Sequence, residues 1–166
     1  MNSTQEEQLV VEVWFPIEKD ADGYPRSRDS EALLCKPIDA ECSLCNIASV
    51  PFYLRNVAFG DTVSTRDDGF GCLDFKEIVK RGGYSVYRIL LHDLSTTDAA
   101  IKALLDFDVL LEHEGGLIAI AVSPQVNIDR LIDFILDGKD RGLWGAQDGY
   151  IADDVTPNSG RGRGTS

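Results

Sequence analysis

The apolar residues of this chain change their period near its middle, and that change restricts the fold more than any other feature of the sequence. Residues 9–15, Leu-Val-Val-Glu-Val-Trp-Phe, are β-branched and aromatic and predict a strand. Pro16 and the polar stretch 18–30 end it, with a turn signal at Asp22-Gly23 followed by Tyr24-Pro25. Further strands are expected at 32–37, 42–48, 61–65 and 71–75. Pro51 interrupts the run after the third of these, and Asp67-Asp68-Gly69 turns one strand into the next. Short strands between turns are the pattern of a small curled antiparallel sheet or partial barrel.

Beyond residue 84 helical spacing joins the alternation. Residues 84–91 predict a strand. Ser95 and Asp98 match a capping box, and Ile101, Leu104 and Leu105 then share one helical face. Residues 109–112 and 117–122 flank Gly115-Gly116 as a hairpin. Asn127 caps a second helix whose face is Ile128, Leu131, Ile132 and Ile135, with Gly138 as its stop. Residues 149–151 form a last strand or coil. The expected class is α+β: a small curled antiparallel sheet in the first half, joined to a split βαβ, ferredoxin-like unit with two helices. One domain over 9–154 is expected, with disordered residues at 1–8 and 155–166. The end of the chain holds Arg161-Gly162-Arg163-Gly164, and two arginines make a poor RNA site.

Composition narrows the function classes. With 43% hydrophobic residues the chain can build a core without disulfides or metal. It has 28 acidic against 16 basic residues, a net charge of −12. That field repels a phosphate backbone and an anionic membrane, and attracts a basic protein. Acidity for solubility alone is the competing explanation. The first residues show no basic stretch leading into an apolar one, and the longest apolar run is 117–122, so neither a signal peptide nor a membrane span is expected. The expected location is the cytoplasm, where the four cysteines stay reduced.

No motif with catalytic or metal-binding spacing stands out. Cys42-Ser43-Leu44-Cys45 is half of a zinc site without a second pair, and no helix start follows it to make a redox motif. Cys35 and Cys72 are single, so these thiols read as small buried hydrophobes. His92 precedes Asp93, and His113 lies between Glu112 and Glu114; either can be built into a general base, but no nucleophile elbow accompanies them. Gly69-Phe70-Gly71 and Gly82-Gly83 lack the residues of a phosphate cradle, and Asp67-Asp68-Gly69 lacks the ligands of a calcium loop. No cofactor and no metal are expected.

The segment 142–150 sets Trp144 and Tyr150 among glycines, with Asp148, Asp153 and Asp154 nearby. Aromatic anchors ringed by acids suit a basic partner; the competing reading packs both rings on the sheet. The expected contact residues are Glu112, Glu114, Trp144, Asp148, Tyr150 and Asp153. Asp61 and Arg88 are expected to be structural, the buried arginine taking the aspartate as its carboxylate.

Several pieces in order resemble an uncharacterised bacterial family, the domain of unknown function numbered four-two-six-five. They are Asp22-Gly23-Tyr24-Pro25 with Glu31-Ala32-Leu33-Leu34, then Cys45-Asn46-Ile47 and Pro51-Phe52-Tyr53. Phe59-Gly60-Asp61-Thr62-Val63 and Gly83-Tyr84-Ser85-Val86-Tyr87-Arg88 complete the set. In that family the asparagine nearly adjoins the Pro-Phe-aromatic piece, whereas Ala48-Ser49-Val50 separates them here. The resemblance transfers no catalytic residues. Small members of this kind are similar to immunity proteins encoded beside bacterial toxins. The expected function is an immunity-type inhibitor, monomer or weak dimer, that blocks the basic active site of a cognate toxin. The alternatives are an enzyme using His92 or His113, and a small-molecule-sensing module.

Overall fold

The computed structural model describes residues 9–23 and 28–152. The expected disordered ends, the Tyr24-Pro25 piece and Asp153 lie outside the described residues. The backbone divides between Gly82 and Gly83 into two compact units.

The first unit is a closed barrel of β1 (Val11–Pro16), β2 (Ser30–Pro37), β3 (Leu44–Ile47), β4 (Thr62–Asp67) and β5 (Leu73–Lys80). Each strand runs antiparallel to the next. Five alternating strands leave the first and last pointing the same way, so the sheet can close only through a parallel pair. That pair is short, Val13 to Leu73 and Trp14 to Asp74. Register shifts after Thr62 and Ser64 bend the β4–β5 ribbon, as a tight barrel requires. The alternation of β1 turns Val13, Phe15 and Ile17 inward, where they meet Leu33, Cys35, Cys45, Ile47 and Val63. Phe15 stacks on Phe75 with 4.7 Å between ring centres. The curled sheet is thus closed, and not wholly antiparallel. Its last strand continues past the expected end to Lys80; Lys76, Glu77, Val79 and Lys80 are all exposed, so no alternation marks this stretch in the sequence.

The second unit contains β6 (Ser85–Leu91), a 3-10 turn (Leu94–Thr96), α1 (Thr97–Leu105), β7 (Leu110–Glu114), β8 (Leu117–Val122), α2 (Ile128–Asp140) and β9 (Trp144–Tyr150). The strands form one antiparallel sheet in the order β7-β8-β6-β9. Its core joins Ile89, Leu91, Ile118 and Ile120 from the sheet to Leu104, Leu131 and Ile135 from the helices. Of the segment expected as a strand or coil at 149–151, Gly149 and Tyr150 end the longer β9 and Ile151 lies beyond it.

Two helix boundaries differ from expectation. The Asp93 carboxylate accepts the Ser95 N–H at 3.0 Å and caps the 3-10 turn; Ser95 therefore caps no α-helix, and Thr96 precedes α1 with no side-chain cap bond. Gly138 does not stop α2. It lies buried within it, where a Cβ would overlap the indole of Trp144. The stop is Gly142, at φ 77°. There Gly142 N–H reaches Lys139 C=O at 3.0 Å and Leu143 N–H reaches Gly138 C=O at 2.9 Å, which is a Schellman motif. Asn127 caps α2 as expected, accepting Asp129 N–H at 3.1 Å. Among the described residues no helix is long and apolar enough to cross a membrane.

Candidate partner-binding site

A long connection, residues 48–61, joins β3 to β4, and two carboxylates tie it down. Asp61 is 0% exposed. It accepts Ala58 N–H at 3.0 Å, Gly82 N–H at 2.9 Å and the Arg81 guanidinium at 2.8 Å. Arg81 also donates to Asn56 C=O at 2.8 Å. Asn46 on β3 donates to Gly60 C=O at 2.9 Å. Glu31 on β2 accepts the N–H groups of Phe52 and Tyr53 at 2.7 and 2.9 Å. Short family-like pieces far apart in sequence therefore meet in pairs: Glu31 with Phe52-Tyr53, and Asn46 with Gly60-Asp61. The cation on Asp61 is Arg81, not the Arg88 chosen from sequence. Arg88 is 2% exposed on β6, with Ala119 and Gln147 as its cross-strand neighbours.

Five of the six expected contact residues are described, and the fold spreads them over both edge strands of the second sheet. Glu112 and Glu114 lie on β7, half-buried and exposed respectively, while Asp148 is exposed and Tyr150 half-buried on β9. Trp144 is 5% exposed and its indole N–H donates to Ile135 C=O at 2.9 Å, so it serves the core. Asp153 lies outside the described residues. Both histidines are exposed, and the Nδ1 of His92 lies 2.9 Å from Gly142 C=O. Cys42 sits at φ 62° in the turn before β3, and Cys45 is on that strand, so neither opens a helix. Burial pushes the Cys45 thiol up to about 11 and the Cys35 thiol up to about 12. The described residues hold no group of three or more His, Cys, Asp or Glu able to ligate a metal.

An acid–aromatic combination of the kind expected at the end of the chain also occurs on the barrel. An open cleft of about 500 Å³ crosses the parallel seam and is lined by Trp14, Asp29, Asp68, Asp74 and Phe75. Trp14 faces outward because its neighbours Val13 and Phe15 face inward, and it is 38% exposed. Asp68 accepts the N–H groups of Phe70 and Cys72 at 2.7 and 3.1 Å, and these bonds hold its carboxyl below the usual range. Its charge, with those of Asp74 and Asp67, raises the exposed Cys72 thiol. Phe70 stands 90% exposed on the adjoining turn. Asp29 pairs with Lys19 at 3.0 Å. An exposed indole beside carboxylates, one of them fixed by backbone N–H groups, suits a lysine or arginine side chain, through charge pairing and cation–π contact. Sequence reasoning missed this site because Trp14 and Asp74 become neighbours only when the barrel closes.

The family model described as Domain of unknown function (DUF4265) matches residues 36–146. No curated protein matches the chain. A solved structure titled "Novel crystal structure of a hypothetical protein from Neisseria gonorrhoeae" is similar in fold, with a TM-score of 0.67 at 14% identity, covering 89% of this chain and 99% of that one.

Proposed function

The chain belongs to this family of unknown function, and from that premise we propose that it is an acidic binding protein, an immunity-type inhibitor that occupies the basic active site of a toxin. The observation that carries the reading is the barrel cleft, where Trp14 and Phe75 lie against Asp68 and Asp74. A tryptophan among carboxylates gives a partner both a desolvated anchor and charge complementarity. The net charge of −12 adds long-range attraction for a basic surface. We place the protein in the cytoplasm, as a monomer or weak dimer. For the second unit we propose a ferredoxin-like assignment, supported by its order strand, helix, strand, strand, helix, strand and by the spatial order β7-β8-β6-β9.

The test is calorimetric titration of the full chain against the product of the neighbouring gene. Binding is expected to weaken steadily as salt rises, and Trp14→Ala to lower the affinity by about 2 kcal/mol, Asp74→Asn by less. Wild-type affinity in both variants, or binding indifferent to salt, would remove the cleft from the interface.

A further inference from the structure

The second sheet ends at β9, and α2 packs against that strand. Along α2, Ile132, Ile135, Leu136 and Lys139 recur at helical spacings of three and four, so they share one face. Against them β9 sets Ala146 and Asp148, on the face that also carries Trp144, with Gln147 at the rim. Ala146 is too small to fill the space under the helix, and a cavity of about 250 Å³ remains, closed on its inner side by Tyr87 of β6.

The polar groups around this cavity are unspent. Neither Lys139 nor Asp148 belongs to an ion pair among the described residues. Tyr87 is 7% exposed, and its hydroxyl has no hydrogen-bond partner among the described residues. One ammonium, one carboxylate and one buried hydroxyl thus border a single apolar space.

We propose that this cavity binds an apolar α-amino acid as its zwitterion. The α-carboxylate pairs with Lys139 and the α-ammonium with Asp148. The side chain lies against Ile132, Ile135 and Leu136, and the Tyr87 hydroxyl bonds the polar end. A ligand with only negative charges meets Asp148, and one with only positive charges meets Lys139, so the opposed pair selects a molecule carrying both. The volume, below the usual range of about 300–1,000 Å³ for ligand pockets, suits a small molecule. The proposal concerns the second unit alone and stands apart from the barrel cleft.

The experiment is calorimetric titration of the full chain with L-leucine, beside two probes of nearly the same shape. L-Leucinamide lacks the carboxylate, and 4-methylpentanoate lacks the amine. Saturable binding of L-leucine is expected, with each probe weaker by about tenfold or more. Lys139→Gln and Asp148→Asn, both at exposed positions, are expected to keep the wild-type melting temperature and lose about tenfold in affinity each. Tyr87→Phe is expected to weaken binding without changing the preference for the zwitterion. Absence of binding by L-leucine, L-valine, L-methionine and L-phenylalanine at about 10 mM overturns the proposal, since even millimolar affinity would show there. Binding that survives in both charge variants, or leucinamide bound as tightly as leucine, overturns it too.

Discussion

Asp61 holds two backbone N–H groups and a guanidinium from a position that no solvent reaches. Asp61→Asn preserves its shape but removes the charge and turns an acceptor into a donor. Breaking such an arrangement is expected to lower stability by about 3 kcal/mol in urea unfolding, the low end for buried pairs because Arg81 is partly exposed. The thiol of Cys35 and the hydroxyl of Tyr87 are each pushed up to about 12, and the thiol of Cys45 to about 11, mainly by burial. Unfolding releases the thiols to values near 9 and the phenol to near 10. Above pH 9 the folded chain therefore holds more protons than the unfolded one. The stabilising effect is complete below about pH 9 and is lost as pH climbs toward 12. Urea midpoints are expected to fall from pH 8 to pH 10, and less steeply in Cys35→Ala; a flat profile would show that these groups are solvated.

At the scale of elements, Gly138 separates two ideas about helices. On propensity alone, Gly138→Ala in the interior of α2 gains about 0.5–1 kcal/mol. Here the new methyl meets the indole of Trp144, and a loss of about 2 kcal/mol is expected instead, with a changed near-ultraviolet signal from that ring. The same residue shows where the sequence was legible. The periods of α1, α2 and most strands were open to reading because one face of each is buried. Gly138 read as a stop because its reason, a ring arriving from β9, is six residues away in sequence and visible only after folding. Ser95 fitted a capping pattern, but Asp93 caps the preceding turn. The second half of β5 carries charges outward and shows no alternation. The counterion of Asp61 could not be chosen between Arg81 and Arg88 without the path of the 48–61 connection. The barrel cleft escaped notice for the same reason: no local pattern links residue 14 to residue 74.

At the scale of the whole molecule, the two units differ in closure. The second sheet is open, with β7 and β9 as its edges. The first has odd parity, and its ring is completed by two residue pairs between segments some sixty positions apart. That joint has the fewest backbone bonds of the ring and the greatest chain separation, so it forms late and opens first. Amide exchange is expected to be faster for those N–H groups of residues 13, 14, 73 and 74 that donate across this joint than for those donated between β1 and β2, as nuclear magnetic resonance can record; equal protection would show that the ring opens as one piece. The cleft spans this joint. A visitor that grips Trp14 with one hand and Asp74 with the other becomes a rivet, and its grip will be felt as slower unravelling of the entire hoop.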